Sequence, residues 1–365
     1  MSSRTEHRDD ATYAPPVSAR TDWSSLSAAV STRRRAILWQ SFGSPDKPDD
    51  IEPFLANVTR GRDIPEDRLR LVADQYRATG GASPLNALNR DLIHRLGVAL
   101  AELGIEVPIY FGNRNWHPFL CDTVDEMQRD RIDEALVIPT SAYSSYSGCR
   151  QYREDLAHCR PAFHTHTIKP FASHPLFIAA ESAIVRDFLA VHAPIDPGTT
   201  SVFATAHSIP TAMASTCEYE EQLTRVCQAL QELLPDGPTI QLVYQSRSGS
   251  PRTPWLAPDV TDAIREAAHT TAALRRVIVI PIGFVSDHQE VRYDLDILAR
   301  NAAIEYGLSF DRLATVGTSP TFIAMLADLV SAWVNGEDPN AHIPGANARC
   351  HDDCCLAGSN ERRPT

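Results

Sequence analysis

The sequence predicts an α/β protein with open, mostly parallel sheets and helices on their faces. From Arg35 onward, short apolar runs alternate with amphipathic stretches, which is the pattern of strands connected by helices. The chain has 365 residues, of which 43% are hydrophobic, so it is long enough for two domains with sizeable cores. Because Pro170 and Pro175 interrupt the middle of the chain, we expect two α/β halves that divide near residue 170.

The individual elements follow from the period of the apolar residues. Seven short apolar runs are predicted strands, at residues 36–42, 107–112, 134–139, 162–168, 200–206, 239–244 and 276–281. The predicted helices span residues 85–103, 176–191, 218–234, 290–306 and 319 to about 334. In the first of these helices Leu92, Leu96 and Leu100 fall on one face, which is typical of a helix that packs on a sheet.

The ends of the chain differ in composition from its middle. Residues 1–34 are rich in Ser, Thr, Arg, Asp and Pro without an apolar period, so we expect a disordered leader. We expect an N-terminal α/β domain at 35–170, a C-terminal α/β domain at 171–318, a C-terminal helix at 319–337 and a cysteine-bearing tail at 338–365.

Composition excludes several classes of function. Lys and Arg number 34 against 46 Asp and Glu, and a net charge of −12 disfavours a nucleic-acid binder. No apolar run approaches the roughly 18–20 residues that cross a bilayer, and the first residues do not form a secretory signal. We therefore expect no membrane span and a cytoplasmic location. The sequence also has neither a GxGxxG nor a GxxxxGK[ST] motif, which disfavours dinucleotide and nucleoside triphosphate chemistry.

Reactive side chains follow two of the predicted strands, where open α/β sheets bind ligands. His207 ends the fifth strand, and Asp287, His288, Glu290 and Asp294 follow the seventh. On a helix, Glu290 and Asp294 share one face, so a cation or a shared proton should offset their repulsion. Each segment alone also fits an ordinary structure, namely a histidine bonded to a backbone carbonyl and a solvated acidic helix start. A functional site is favoured because His207 and Glu290 can face each other across a cleft.

Six segments, in the same order along the chain, resemble the motifs of the ferrochelatases, which insert ferrous iron into a porphyrin. They are SFGSP (41–45), GGASPLN (80–86), FGNRNWHPF (111–119), ATAHSIP (204–210), YQSRSGSPRTPWLAPDV (244–260) and PIGFVSDHQEVRYDLD (281–296). The resemblance covers about residues 35–335. It implies two Rossmann-like, chelatase-type domains, each a parallel four-stranded sheet flanked by helices, with the active-site cleft between them.

The resemblance also implies roles for individual residues. His207 and Glu290 become the catalytic pair that binds the incoming iron, and Asp294 becomes a relay behind them. The substrate-binding candidates are Ser83, Tyr152, Arg60 and Tyr76. Because the protein is acidic, the carboxylates of a porphyrin need local arginines, and Arg62 and Arg114 are further candidates beside Arg60.

The stretch SAYSSYSGCRQYRED (141–155) resembles the actinobacterial branch of the family, whose members convert coproporphyrin III to coproheme. The expected partners are coproporphyrin III, ferrous iron, an upstream coproporphyrinogen oxidase and a downstream coproheme decarboxylase. A protoporphyrin IX ferrochelatase, or an inactive porphyrin or iron-sulfur sensor, remain alternatives. Two positions depart from relatives: Phe42 replaces a tyrosine that ligates product iron in some of them, and Leu298 interrupts the acidic series after Asp294.

Eight cysteines are many for a reducing compartment. Cys350, Cys354 and Cys355 lie together near the C-terminus, and three thiols with a fourth can hold a 2Fe-2S cluster or zinc. The resemblance points to Cys149 as the fourth ligand and to a 2Fe-2S cofactor. A redox-active tail is the alternative. The remaining cysteines are expected to be small buried apolar residues: Cys121, Cys159, Cys217 and Cys227.

Overall fold

A computed structural model describes residues 33–61, 64–248, 252–346 and 354–357. Within these residues the strands are Arg35–Ser41 (β1), Ile109–Asn113 (β2), Glu134–Pro139 (β3), His164–Thr167 (β4), Thr200–His207 (β5), Ile240–Gln245 (β6), Arg276–Ile280 (β7) and Ser309–Arg312 (β8). Almost all of the predicted leader, and also Arg62 and Cys350, lie outside the described residues.

The helices lie between and after the strands. They are Ile51–Val58 (α1), Glu66–Ala78 (α2), Leu85–Glu102 (α3), Leu120–Arg129 (α4), Gln151–His158 (α5), Pro175–His192 (α6), Thr211–Ala214 (α7), Tyr219–Gln231 (α8), Val260–Thr270 (α9), Arg300–Glu305 (α10) and Pro320–Val334 (α11). Two π-helices precede α5 and α10, at Tyr146–Arg150 and Val291–Ala299. None of the helices in the described part of the chain has both the length and the apolar character that a bilayer span requires.

The strands form two parallel four-stranded sheets with the same relative order, β2-β1-β3-β4 and β6-β5-β7-β8. The central strands are apolar along their length, as in β3 with EALVIP and β7 with RVIVI, because helices cover both faces of each sheet. The predicted fold class is therefore confirmed. All strands of the first sheet precede residue 168 and all strands of the second follow residue 199, while the exact domain boundaries remain a prediction.

One continuous core joins the two sheets. It contains Trp39 and Ile138 from the first sheet and Ala204 and Ile280 from the second, with apolar residues of α3, α6, α8 and α11 between them. The C-terminal helix α11 packs on both α3 and α6. Because the helices are shared in this way, the carboxyl ends of the central strands are held in a fixed relation, and the site described below depends on that relation.

Two expectations from the sequence were wrong. The sequence indicated seven strands, and β8 was missed because SFDR is short, partly exposed and lacks an apolar alternation. Cys121 and Cys159 were expected to be buried thiols, but they form a disulfide between α4 and the end of α5, and Cys121 is exposed. Their Cα atoms are 4.8 Å apart, which suits a disulfide and reflects the packing of these two helices.

Candidate active site

The first half of the site lies at the carboxyl end of β5. His207 is the last residue of this strand, and its carbonyl accepts a hydrogen bond from the Tyr219 hydroxyl at 2.9 Å. Its Nδ1 is bonded to the carbonyl of Ser208. A carbonyl only accepts, so Nδ1 carries the proton and Nε2 is left to act toward the cleft.

The second half follows β7 and is brought to His207 by a close backbone approach. A Cβ atom at Gly283 would lie 2.6 Å from both Cα and Cβ of Ala206, so only glycine lets this loop pass against the end of β5. Glu290 follows at the start of the second π-helix, and its Oε2 is 3.6 Å from Nε2 of His207. The N–H of Gly283 also donates to the Thr205 carbonyl at 3.0 Å, so this glycine fixes the loop that leads to Glu290 against the end of β5.

The two side chains shift each other's protonation. Burial alone would lower the pKa of His207, but the Glu290 carboxylate and the Ser208 carbonyl outweigh it and the pKa is raised. Burial would raise the pKa of Glu290, yet the neighbouring His207 lowers it to about 2. The side chains are 32% and 48% exposed, so both remain accessible to solvent. At neutral pH the site therefore presents an ionised carboxylate beside an imidazole that readily takes a proton.

Asp294 lies one turn further along the π-helix and accepts a hydrogen bond from the Ser246 hydroxyl. Burial and the charge of Glu290 raise the pKa of Asp294 to about 7, although the bond from Ser246 opposes the shift. Ser246 has φ of +62°, an uncommon conformation for a residue other than glycine and one that occurs often at functional sites. Glu290 and Asp294 were expected to share one face of an α-helix over residues 290–306. The segment is instead a π-helix followed by α10. Such π-helical turns occur frequently at functional sites.

The other polar residues of this segment have structural partners. His288 accepts hydrogen bonds through Nδ1 from the backbone N–H groups of Glu290 and Val291, at 3.1 and 3.4 Å, and so caps the start of the π-helix. Burial lowers the pKa of His288, so its neutral form is favoured. Asp287 is bonded to Arg312 of β8. Neither side chain is left to act as a ligand in the way that its residue type alone suggested.

Aromatic rings, Tyr76 among them, form a small cluster beside the carboxyl end of β1. Phe54 contacts Phe42, Tyr76 and Trp116 edge to face, with ring centroids 6.3, 6.0 and 6.2 Å away. Burial and the charge of Glu290 both raise the pKa of Tyr76, so this predicted substrate-binding residue is a neutral phenol within electrostatic range of Glu290. Phe42 is 39% exposed, so an apolar ring is accessible at the carboxyl end of β1.

Tyr152 and Arg114 form one unit after the ends of β2 and β3. The guanidinium of Arg114 lies 4.5 Å from the centroid of the Tyr152 ring and is paired with Asp155, while its Nη1 donates to Gln151 at 3.2 Å. Arg114 is almost fully buried, and its Nη2 has no hydrogen-bond partner within the described residues. Arg114 was predicted as a candidate partner of a porphyrin carboxylate, but its guanidinium already pairs with Asp155, and it holds Tyr152 in place.

Ser83 and Arg60 differ in how firmly they are held. Ser83 is buried, its N–H donates to the Pro45 carbonyl at 3.0 Å, and its hydroxyl accepts from the N–H of Leu85 at 3.4 Å. Arg60 is exposed just beyond α1 and donates to the side chain of Asn57 at 2.6 Å. The structure thus brings His207, Glu290, Asp294 and Tyr76 together, sets Ser83 in a rigid turn, and leaves Arg60 at the surface.

Three of the four predicted cluster cysteines lie in the described residues and meet. The thiol of Cys149, in the first π-helix, is hydrogen bonded to that of Cys355, and the Sγ atoms of Cys354 and Cys355 are 3.4 Å apart. The bond to Cys355 lowers the pKa of Cys149 to about 7, and Arg153 and Lys169 act in the same direction. Nowhere in the described part of the chain are three or more His, Cys, Asp or Glu side chains arranged around a common centre suited to a metal ion.

Two residues of the site were missed from the sequence. Ser246 follows the end of β6, so the rule that singled out His207 applies to it equally and would have found it. Gln289, between His288 and Glu290, is buried and bonded to α2, and nothing in the sequence signals that contact.

Comparison with known proteins agrees with this geometry. Residues 34–333 match the family model described as Ferrochelatase. A coproporphyrin III ferrochelatase of Nocardia farcinica is 41% identical over 90% of this chain and 97% of its own length, and one of Streptomyces coelicolor is 43% identical over 88% and 93%. A protein of Rhodopirellula baltica named ferrochelatase is 41% identical over 88% and 93%.

Among solved structures, SirB from Bacillus subtilis with Fe3+ has a TM-score of 0.50 at 11% identity and covers 82% of this chain and 95% of that one. At this identity the likeness concerns the fold alone. The family match and the relatives above cover nearly all of the described residues, including both halves of the site. The chain belongs to the ferrochelatase family.

Proposed function

We propose that this protein is a lyase that inserts Fe(II) into coproporphyrin III and releases two protons, giving coproheme. The observation that carries the proposal is the contact between His207 and Glu290 at the carboxyl ends of two neighbouring strands, with Asp294 behind them. The choice of coproporphyrin III is supported by the names of the relatives from Nocardia farcinica and Streptomyces coelicolor. The Rhodopirellula baltica ferrochelatase is about as similar to this chain, and its name specifies no porphyrin.

The reaction needs two pyrrole N–H protons removed and a hydrated iron stripped of its water. In our proposal Nε2 of His207 accepts a pyrrole proton or ligates the iron, because its Nδ1 is fixed as the donor to Ser208. Glu290 is ionised near neutral pH, since the neighbouring His207 lowers its pKa to about 2, and so offers a hard oxygen ligand to Fe(II). His207 thus provides the site that accepts a proton, and Glu290 provides the negative charge that the incoming metal ion requires.

Protons must then leave the cleft. Asp294, with its pKa raised to about 7, can take up and release a proton near neutral pH, and the Ser246 hydroxyl holds its carboxyl group. The path proposed here runs from His207 past Glu290 to Asp294. It stops there, because the next position on this side of the helix is Leu298, which is 40% exposed and has no titratable group.

The porphyrin is assigned to the aromatic side of the cleft. Flat rings suit the exposed face of Phe42, and Tyr76 remains a neutral phenol next to Glu290. Ser83 and Tyr152 are proposed as further contacts. Arg60 is proposed as the partner of a substrate carboxylate, because within the described residues its exposed guanidinium is bonded to the uncharged side chain of Asn57.

Insertion into coproporphyrin III and protoporphyrin IX, measured side by side, tests the choice of substrate. We expect faster insertion into coproporphyrin III, and we expect Arg60→Ala to raise the KM of that porphyrin about 5- to 150-fold, as for loss of one charge-assisted bond of about 1–3 kcal/mol. Arg95→Ala is the matched control, since Arg95 pairs with Asp91 on the surface of α3. Equal losses with both porphyrins would argue against recognition of the extra carboxylates, and tight binding without insertion would indicate an inactive sensor.

A second part of the proposal concerns the thiols. A 2Fe-2S cluster takes cysteine sulfur ligands, and the side chains of Cys149, Cys354 and Cys355 meet. The bond between Cys149 and Cys355 lowers the pKa of Cys149, which favours its thiolate, and raises the pKa of Cys355. Cys350 is proposed as the fourth ligand. Such a cluster would supply a one-electron redox couple, and its distance along the sequence from His207 and Glu290 suggests a structural or sensing role. Anaerobic preparation should give visible absorption and acid-labile sulfide that Cys354→Ser abolishes; a colourless, sulfide-free protein would rule the cluster out.

The remaining expectations concern the setting of the enzyme. The substrate is the oxidised form of a porphyrinogen and the product carries propionates that can be decarboxylated, so a coproporphyrinogen oxidase upstream and a coproheme decarboxylase downstream are the proposed partners. A cytoplasmic location is part of the same proposal. Co-purification of the tagged full chain with either enzyme, lost at high salt, would support direct transfer.

A further inference from the structure

One polar side chain connects α2 with the segment that carries Glu290. Gln289 is only 5% exposed although the next residue, Glu290, faces the cleft. Its Nε2 donates to the carbonyl of Gln75 at 2.7 Å, and its Oε1 accepts from the hydroxyl of Thr79 at 2.6 Å. Both ends of the amide therefore bind a helix that lies more than 200 residues earlier in the chain.

The same contact completes the end of α2. The last carbonyls of a helix have no partner within it and need one from elsewhere. The carbonyl of Tyr76 receives the N–H groups of Thr79 and Gly81 at 3.2 and 2.8 Å, whereas that of Gln75 receives the Gln289 amide. The Thr79 hydroxyl has one proton, and its nearest acceptor is Oε1 of Gln289. Gln289 thus acts as the C-terminal cap of α2.

The end of α2 also leads to the substrate side of the cleft. Tyr76 lies close enough to Glu290 for the carboxylate charge to raise the pKa of its phenol, an effect second to that of burial. The chain then turns through Gly81, where a Cβ atom would come within 2.8 Å of Cγ of Pro48, and continues to Ser83. This turn is tightly packed, so a shift of α2 would move Tyr76 and Ser83 with it.

Glu290 itself has few restraints. Within the described residues, the polar contact of its carboxylate is the ion pair between Oε2 and Nε2 of His207, at 3.6 Å. Its N–H is bonded to His288, and its carbonyl receives a weak bond from Gln245 at 3.5 Å. The residue before it is the one that is buried and bonded at both ends, so the position of the Glu290 backbone depends on the anchoring of Gln289.

We propose that Gln289 is a positioning residue that ties the porphyrin side of the cleft, through α2, to Glu290. The inference rests on the proposed role of Glu290 as a ligand of the incoming iron. With the contact in place, Tyr76, Ser83 and Glu290 keep one relative position when the porphyrin binds. Without it, α2 keeps its apolar contacts, and Glu290 loses its alignment with His207, so the steps that involve iron are affected more than porphyrin binding.

Steady-state iron insertion by the full-length chain, with Fe(II) and coproporphyrin III varied separately, tests this inference. Gln289→Met removes both hydrogen bonds at similar size and should lower kcat/KM for iron about tenfold, while the porphyrin KM changes less than about threefold. Thr79→Val should act in the same direction and Thr79→Ser should not, because serine keeps the hydroxyl. The double variant with Gln289→Met and Thr79→Val should be no worse than Gln289→Met alone, since the two residues share one contact.

A glutamine that bridges elements within one half provides the control. Gln231 accepts from the N–H of Ile240 at 2.7 Å and donates to the Leu234 carbonyl at 3.0 Å, at the end of β6 remote from the cleft. Gln231→Met should keep the iron kinetics of the parent protein even where its thermal stability falls. Equal kinetic losses in Gln231→Met and Gln289→Met, or additive losses in the double variant, would overturn the inference.

The outcomes also separate this inference from the proposal on which it rests. Normal turnover in Glu290→Gln would remove the role of Glu290 itself. An inactive Glu290→Gln together with unchanged iron kinetics in Gln289→Met would overturn only the positioning role. If Gln289→Met does not fold, the comparison of Thr79→Val with Thr79→Ser decides, and equal iron kinetics in those two variants count against the inference.

Discussion

Removal of the Arg312 side chain should destabilise the protein at the segment that carries the site. Arg312 lies on β8 and binds two carboxylates at once, those of Asp287 before the π-helix and Asp296 within it. The guanidinium therefore fixes both ends of the stretch that contains His288 and Glu290. In Arg312→Met the two carboxylates lose their shared cation, and each keeps the cost of its partial burial.

The geometry gives a magnitude for this loss. Nη1 and Nη2 lie 3.2 and 2.9 Å from the Asp287 oxygens, and Nε and Nη2 lie 3.0 Å from those of Asp296. Removing one partner of a fully buried ion pair costs about 3–5 kcal/mol. Arg312 is 14% exposed and the carboxylates are 25% and 32% exposed, so solvent screens part of the interaction. We therefore expect the free energy of unfolding to fall by about 2–3 kcal/mol in Arg312→Met.

Urea unfolding followed by tryptophan fluorescence measures this difference, since the chain contains five tryptophans. Arg265→Met is the matched control, because Arg265 is 46% exposed and its pairing with Asp262 on α9 should contribute less than about 1 kcal/mol. Iron insertion under folding conditions should also fall in Arg312→Met. A loss of stability below about 0.5 kcal/mol would show that Arg312 does not fix this segment, because water would then replace the bridge at no cost.

Two further changes have expected outcomes. Gly283→Ala places a Cβ atom 2.6 Å from Ala206, so we expect the free energy of urea unfolding to fall by about 1–3 kcal/mol and iron insertion to be slower. Gly97→Ala is the control, because Gly97 has open space around it in α3 and this change should leave the stability unchanged or raise it. Similar results for both variants would count against the close approach at Gly283. Glu134→Gln tests a pH dependence: burial would raise the pKa of Glu134, but His166 and Arg35 lower it below 4.5. A depressed pKa stabilises the fold above the unfolded value and this stability is lost as the pH falls through the folded one. The difference in unfolding free energy between the parent and Glu134→Gln should thus be about 1–2 kcal/mol above pH 5 and should shrink below pH 4.5; a constant difference would contradict it.

The contact between His207 and Glu290 was predictable because it depends on a general property of parallel sheets. His207 and Glu290 each follow a strand, and β5 and β7 are neighbours, so their carboxyl ends meet at one edge. The strands themselves were readable since β1, β3 and β7 are buried apolar runs. The outer strand β8 was not, because its four residues are partly exposed and its identity depends on pairing with β7.

Other features depend on contacts between distant parts of the chain. The bond of Gln289 to Thr79 exists only because α2 docks beside the π-helix, and a sequence window contains no trace of that docking. The π-helical geometry of Val291–Ala299 likewise has no simple signature, since the same residues suit an α-helix. The disulfide between Cys121 and Cys159 depends on how α4 and α5 pack, which the spacing of the cysteines does not give.

We propose that His207 and Glu290 carry out iron insertion and do not merely help to bind the porphyrin. Single-turnover insertion into bound coproporphyrin III, with porphyrin affinity measured separately by fluorescence, tests it in His207→Ala and Glu290→Gln. We predict that insertion falls by at least about 100-fold in each variant, as for loss of a proton-transfer group, while the Kd of the porphyrin changes less than about threefold. Insertion near the parent rate in either variant, or a loss that matches a loss of porphyrin affinity, would contradict the account.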